Sequence, residues 1–250
     1  MVASDAGSQQ QPQSGAGVRG VVIPTGFQKD RFSALIQIVV EGSPLPGATW
    51  ELEATVAPER SEARVISGRI VVDEPGIPAV LESQVTFRPG PYEMQLKAFE
   101  TTGGQTGAGQ LTGEWPDLDR RPVTVGPIAI VQPGQAAFMR DGDARDRGAI
   151  GRGKEEPVLT DLPTALVCLV CRDRVPKSAL RVERELSGET FILTEPVEID
   201  LGNERCVQVR DLVGPGTMTE GFFRYDVRVF DADRQVAAGS RIFSTAKQES

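Results

Sequence analysis

Arg88-Pro89-Gly90-Pro91-Tyr92-Glu93-Met94-Gln95-Leu96-Lys97-Ala98-Phe99 has the form of a tight turn running into a strand. Beyond the turn, Tyr92, Met94, Leu96 and Ala98 alternate with Glu93, Gln95 and Lys97. That period of two gives a strand one apolar and one polar face. The pattern returns at Phe223-Arg224-Tyr225-Asp226-Val227-Arg228-Val229-Phe230, again a tyrosine, then an acid, then alternation. Tyr92 and Tyr225 are the two tyrosines of the chain. The two stretches are expected to be the same strand in two successive β-sandwich domains.

Outward from these stretches the same period recurs. Phe32, Ala34, Ile36, Ile38 and Val40 alternate against Arg31, Ser33, Gln37 and Glu41, Gly42 to Gly47 breaks the run, and Trp50, Leu52, Ala54 and Val56 resume it against Thr49, Glu51, Glu53 and Thr55. Val65 to Asp73 and Leu81 to Phe87 are the next strands. Thr101 to Gly113 is glycine-rich and reads as a hairpin loop with a short edge strand. Val123, Val125, Ile128 and Ile130 close the first domain, with a phase slip at Gly126-Pro127 that predicts a bulge on an edge strand. Apolar content then falls, and 135–160 is expected to be a linker or long exposed loop, with Ala136 to Met139 able to pair on an edge. Thr164 to Cys171 is almost continuously apolar, as in a strand buried on both faces. Leu180, Val182 and Leu186 share a phase that Arg184 interrupts, which predicts an edge strand or one that leaves the core at that point. Strands around Val197, Val207 and Tyr225 and from Val236 to Phe243 complete the set. No stretch longer than about two turns carries helical spacing. The expected organisation is a disordered tail at 1–20, a sandwich at 21–134, the linker at 135–160 and a second sandwich at 161–246.

Composition narrows the function. Two hundred and fifty residues suit two domains of about 100 residues each. The net charge of −8 argues against a nucleic-acid partner, since phosphate binding needs a basic surface. No polybasic run addresses anionic lipid, and no apolar run is long enough to span a bilayer. The chain has no histidine, so Ser-His-Asp and Cys-His nucleophiles, histidine metal ligands and CxxCH haem attachment are excluded. The first twenty residues are mostly Ser, Gln, Gly and Ala, with neither the basic start nor the apolar middle of a signal peptide. The protein is therefore expected in the cytoplasm, or in the periplasm or at the cell surface if a leader has been removed.

Pro-Gly-x-Tyr ahead of an alternating strand resembles the tyrosine corner of immunoglobulin-like and fibronectin-type-III sandwiches. More closely, Phe87 to Tyr92, the glycine-rich loop after it and the repeat at Gly221 to Asp231 resemble the C-terminal tandem β-domains of exported bacterial proteins that carry a von Willebrand factor A-related domain. The A domain is absent, with no Asp-x-Ser-x-Ser metal motif, so none of that family's adhesion chemistry carries over to a residue here. The resemblance implies an all-β fold of two tandem immunoglobulin-like or fibronectin-type-III-like sandwiches. In that frame Tyr92 and Tyr225 are structural, their hydroxyls tying a corner to nearby backbone.

Several motifs invite chemistry. Cys168-Leu169-Val170-Cys171 is a CxxC, but residues three apart on a strand face opposite sides and do not chelate one metal. The first reading is three small buried hydrophobes. Beside it stand a disulfide from Cys206 to Cys171 or Cys168, which favours an oxidising compartment, and a three-cysteine metal site. Gly148 to Glu155 matches a phosphate loop except that Glu155 stands where Ser or Thr must hold magnesium, so a flexible basic loop is expected. Asp141, Asp143 and Asp146 fail as a calcium loop, because Arg145 and Arg152 fall where anions are needed. Trp115, between Glu114 and Asp117, reads as a loop anchor or a sugar-stacking ring.

The role these features support is a non-catalytic protein-interaction, scaffolding or spacer module that uses no cofactor and no metal. Binding is expected through the loop around Gly103, Gly107 and Trp115, or through an open edge strand. The alternatives are an accessory docking subunit of a membrane-associated complex, and a carbohydrate-binding or specificity module of an enzyme acting through Trp50 or Trp115.

Overall fold

A computed structural model describes residues 16–41, 47–59, 62–119, 122–134, 136–140, 151–154, 157–159, 162–173, 179–188, 192–199, 201 and 204–247. Its regular elements are all strands: β1 (Val18–Gln28), β2 (Arg31–Val40), β3 (Ala48–Pro58), β4 (Arg64–Val72), β5 (Ala79–Phe87), β6 (Gly90–Glu100), β7 (Thr106–Trp115), β8 (Val123–Val125) and β9 (Ala129–Pro133). They continue with β10 (Ala137–Arg140), β11 (Gly151–Lys154), β12 (Val158–Leu159), β13 (Thr164–Arg172), β14 (Leu180–Ser187), β15 (Ile192–Ile199), β16 (Cys206–Val213), β17 (Gly221–Asp231) and β18 (Arg234–Lys247). The fold is all-β, with no helix among the described residues.

The contacts divide the chain into two compact units, and neither is one unbroken stretch. The first holds Met1–Val22, Leu35–Trp115 and Gly134–Ile150; the second holds Ile23–Ala34, Pro116–Pro133 and Gly151–Ser250. The cut expected near residue 134 is thus more tangled. The tip of the β1–β2 hairpin and the β8–β9 segment both belong with the second unit.

In the first unit one sheet runs β1-β2-β5-β10 and the other β4-β3-β6-β7. Their apolar phases meet: Ile36, Ile38, Trp50, Leu52, Ile66, Leu81, Phe87, Met94 and Trp115 are all fully buried. A Cβ placed on Gly20 of β1 would lie 3.1 Å from both Leu96 and Met94 of β6, so the two sheets close face to face there. The first strand begins at Val18, inside the stretch expected to be tail. The hairpin loop and short edge strand expected at Thr101 to Gly113 are present, with the loop shorter and the strand longer: only Thr101 to Gln105 turns, and the edge strand β7 pairs with β6 up to Trp115. The strand glycines Gly107, Gly109 and Gly113 face the interior, where a Cβ would come within 2.7 Å of neighbouring atoms.

The second unit has one sheet ordered β11-β9-β13-β16, with β8 also on β13, and another ordered β12-β18-β17-β14-β15. Leu166, Cys168, Val170 and Val209 of the first meet Val182, Phe223, Tyr225, Val227 and Val229 of the second in one core. Three expectations change here. Val123, Ile128 and Ile130 belong to this core rather than closing the first domain. Within 135–160, Ala137–Arg140 pairs with β5 as the edge strand allowed for there, and β11 and β12 are strands as well, not linker, paired with β9 and β18. And β14 lies inside its sheet, between β17 and β15, with a register shift beside Arg184. Asp141, Asp143 and Asp146, and Gly148 to Ile150 with Glu155 of the phosphate-loop match, lie outside the described residues.

The two units repeat one order. Strands β1-β2-β5 with β4-β3-β6-β7 correspond to β9-β13-β16 with β15-β14-β17-β18. Tyr92 on β6 and Tyr225 on β17 occupy the same place in that order, each on a strand with a partner on both sides.

Candidate functional site

The residues expected at a binding loop are taken up by the fold. Trp115 is fully buried, its ring 5.4 Å from that of Phe87 and 6.4 Å from that of Tyr92. Trp50 is buried as well. Neither tryptophan offers a face to a sugar ring. Gly107 sits where residues 16–18 pass beneath β7: a Cβ there would come within 2.5 Å of the Ala16 carbonyl oxygen, and the Ala16 amide donates to the Thr106 carbonyl at 3.1 Å. Gly103 is in the β6–β7 turn, where a Cβ would lie 3.0 Å from the buried Glu100 carboxylate. Both glycines therefore make room for the chain itself.

The tyrosines and cysteines serve the cores, in ways that differ from expectation. The Tyr225 hydroxyl donates to the Asp211 carboxylate rather than to backbone. Tyr92 packs its ring on Phe87 at 5.0 Å and lies over Gly113, its partner across the β6–β7 ladder. Burial pushes the acidity of both hydroxyls well below that of a free tyrosine. Cys171 and Cys206 are joined in a disulfide, so they are not small free hydrophobes. The register explains the pairing. Cys171 stands directly opposite Cys206, and the next pair carries the Arg172 amide to Arg205 carbonyl bond at 2.7 Å. Cys171 and Cys206 are thus a non-hydrogen-bonded pair, the close-approach position of an antiparallel ladder, with Cα atoms 4.0 Å apart. Cys168 faces the other way and remains a buried thiol.

Around Cys168 lies a charged cluster that periodicity alone misplaced. Arg184 and Asp211 both fall on the apolar phase of their strands, and both point inward. The Arg184 guanidinium pairs with the Asp211 carboxylate, their side chains only 11% and 10% exposed. Burial, with the Asp211 charge adding and the Arg184 charge subtracting, pushes the Cys168 thiol up to about 12. A thiol so held stays protonated at neutral pH and is no nucleophile. Asp211 is committed to Arg184 and Tyr225, so the cluster is occupied with itself. A second such group stands in the first unit, where buried Glu82 accepts from Gln37 at 2.8 Å and from Arg140 at 3.0 Å.

What faces outward is more suggestive. On the outer face of the β4-β3-β6-β7 sheet, Glu51 is flanked by Arg69 and Phe99, and Glu53 by Ser67 and Lys97. Thr106 continues the row from Phe99, and Ala108 the row from Lys97. These rows enclose a hollow of about 710 Å³. Phe99 is 45% exposed, and Val71 and Val65 on β4 expose 53% and 59%. The Lys97 ammonium lies 3.6 Å from Glu53, so much of the charge is balanced within the face. Sequence reasoning missed this face, although its signal was present: Phe99, Val65 and Val71 are large apolar residues on the polar phase of their strands.

No protein-family model matches the chain, and no match in sequence is found among curated proteins. Among solved structures, the chain is similar to red sea bream transglutaminase, with 10% identity and a TM-score of 0.28 over 92% of this chain. The chain spans 31% of the length of that structure. At that level the likeness assigns neither a fold family nor an activity.

Proposed function

We propose that the chain is a non-catalytic protein-interaction or scaffolding module made of two tandem immunoglobulin-like or fibronectin-type-III-like sandwiches. Support for the architecture comes from the repeated strand order, three strands facing four, with a tyrosine on the same strand of each unit. Support for the role comes from one observation: on the outer face of β4-β3-β6-β7, Phe99 lines a shallow hollow in which Lys97 and Glu53 pair, and Val65 and Val71 stand exposed on the same face. Exposed aromatic side chains are enriched among protein-binding hot spots, and Phe99 is a large aromatic exposed on this face. The clusters that hold ionisable groups away from water are spent on internal bonds, which favours binding over catalysis.

An oxidising, extracytoplasmic setting is supported by the Cys171–Cys206 disulfide. No helix among the described residues is long and apolar enough to cross a membrane. A paired-domain module outside the cytoplasm is also what the resemblance to exported bacterial proteins with a von Willebrand factor A-related domain implies.

The test is native purification of the tagged chain from its source, beside a Phe99→Glu variant of equal thermal stability. A stoichiometric protein partner retained by the parent and lost by the variant is the expected outcome. A partner held equally by both forms would move the site elsewhere, and a chain recovered alone in both would return it to a spacer.

A further inference from the structure

The edge of the same sheet has a property that the hollow does not explain. In the β6–β7 hairpin the Glu100 amide donates to the Gln105 carbonyl at 2.8 Å, which makes Glu100 and Gln105 a hydrogen-bonded pair. Counting along the register in steps of two, Ala98–Gly107, Leu96–Gly109, Met94–Leu111 and Tyr92–Gly113 are hydrogen-bonded pairs too. The backbone amides and carbonyls of Thr106, Ala108, Gln110, Thr112 and Glu114 therefore point away from β6. Thr106 already accepts from Ala16. Among the described residues no strand pairs with the other side of β7, and Ala108, Gln110, Thr112 and Glu114 are all exposed.

Sheet edges are ordinarily blunted by lysine, proline, a bulge or a very short strand. β7 is ten residues long, its register with β6 is unbroken, and it contains neither lysine nor proline. Such an edge accepts another strand.

We propose that this edge is the interface between two copies of the chain, paired antiparallel through β7 about a two-fold axis at Leu111. With Thr106 engaged, the four free positions are centred on Leu111. In that frame Ala108 of one copy stands opposite Glu114 of the other, and Gln110 opposite Thr112. Each of these pairs exchanges two backbone hydrogen bonds, and no like charges face each other. The charges favour this frame. Lys97 lies beside Ala108 on β6, so the cross-sheet row reads Glu53, Lys97, Ala108 and then Glu114 of the second copy. Two strand spacings, about 10 Å, separate Lys97 from that glutamate, with only an alanine methyl between them. The Lys97 side chain is 71% exposed, and its 3.6 Å contact with Glu53 is a solvent-exposed pair weak enough for the ammonium to be shared with a second carboxylate. The result is an isologous contact that joins two four-stranded sheets into one.

Sedimentation equilibrium of the full chain is the experiment, over a hundredfold concentration range. Twice the chain mass at the upper end is expected. Gln110→Pro removes an amide that β6 does not use, and Thr112→Lys places a charge on the edge without changing the backbone. Each is expected to weaken the dimer at least tenfold while leaving the thermal midpoint and the far-ultraviolet spectrum of the monomer in place. Glu114→Lys, which sets a lysine against Lys97 of the other copy, is expected to weaken it about fivefold, with the loss shrinking in high salt. A monomer at every concentration overturns the proposal, as does a dimer indifferent to both edge variants. A partner strand from another protein captured on β7 in place of the second copy would also overturn it.

Discussion

At the scale of single residues, the sharpest departure from alternation is the inward-facing pair Arg184 and Asp211. A charge on the apolar phase of a strand reads as an interruption when each strand is considered alone. Two of opposite sign, on strands of facing sheets, are a buried pair. Removing one partner leaves the other charged and unsolvated, so Asp211→Ala is expected to cost about 3–5 kcal/mol in urea denaturation. Tyr225→Phe removes only the hydroxyl donated to Asp211 and is expected to cost about 1.5–3 kcal/mol. Equal, small losses for the two would mean that the cluster is not bonded as described. Cys168 adds a dependence on pH. Its thiol is neutral and held up to about 12 in the folded chain against 9.0 for the free group. The folded state therefore keeps a proton that the unfolded state releases, and stability is full below pH 9 and declines as pH rises toward 12. Between pH 8 and 10 the parent is expected to lose about 1 kcal/mol more than Cys168→Ala. A parallel decline in both would remove Cys168 from the account. Alkylation without reductant should label one cysteine per chain, and only after unfolding, because Cys168 is buried and the other two are bonded to each other.

At the scale of elements, alternation located most strands but not their neighbours. Phe32 to Val40, Trp50 to Val56, Tyr92 to Ala98 and Thr164 to Cys171 all lie in strands of the expected kind, because a half-buried or doubly buried strand writes its environment into its own residues. β7 was legible only as a short edge strand, for the opposite reason. Its inward positions are glycines at 107, 109 and 113, chosen for the close passage of the Ala16–Val18 segment and the Tyr92 ring, and glycine reads as loop. The outer face failed similarly: Phe99 looks like one more apolar residue until its phase is counted. The β13–β16 pair shows what a ladder adds to sequence. The open choice of Cys171 or Cys168 as partner for Cys206 is settled by register, which places Cys171 across the strand and Cys168 on the opposite face. Beside the disulfide, Arg205 bonds Asp30 at 2.6 Å and Asp173 at 3.3 Å and lies over the Phe27 ring, while Gln208 donates to the Pro24 carbonyl at 2.8 Å. The hairpin tip is thus fastened to β16 next to the crosslink. Replacing both Cys171 and Cys206 with alanine opens a loop of sequence separation 35; the chain-entropy view puts the loss at about 3–4 kcal/mol. Arg205→Ala should raise amide exchange in residues 23–34 while leaving β17 and β18 protected. Uniform exchange across the second unit would mean that the tip is not an independent fastening.

At the scale of the whole chain, the sequence pattern suggested two units, and contacts divide the chain into two compact units along a different line. The repeat of the tyrosine strand announced two units, since a motif of that length with its own turn belongs to one sheet at a time. The boundary depends on which distant strand claims Val123 to Pro133, and that is decided by packing between segments rather than by pattern within one. β8 and β9 both pair with β13, and Val123, Ile128 and Ile130 lie in the core of the second unit. A fragment beginning at residue 135 would leave both β8 and β9 behind. It would expose one side of β13, whose residues from Thr164 to Cys171 are all buried in the full chain, and would strip three large side chains from the core. Such an edge is a site for aggregation. A fragment beginning at Pro116 keeps both strands and loses only the hairpin tip at residues 23–34. The longer fragment is therefore expected to be soluble, with a sheet-type far-ultraviolet spectrum and a single cooperative melt, and the shorter one to aggregate or melt without cooperativity. A shorter fragment that folds as well as the longer one would restore the division near residue 134. It would also reduce β8 and β9 to passengers on a core complete without them.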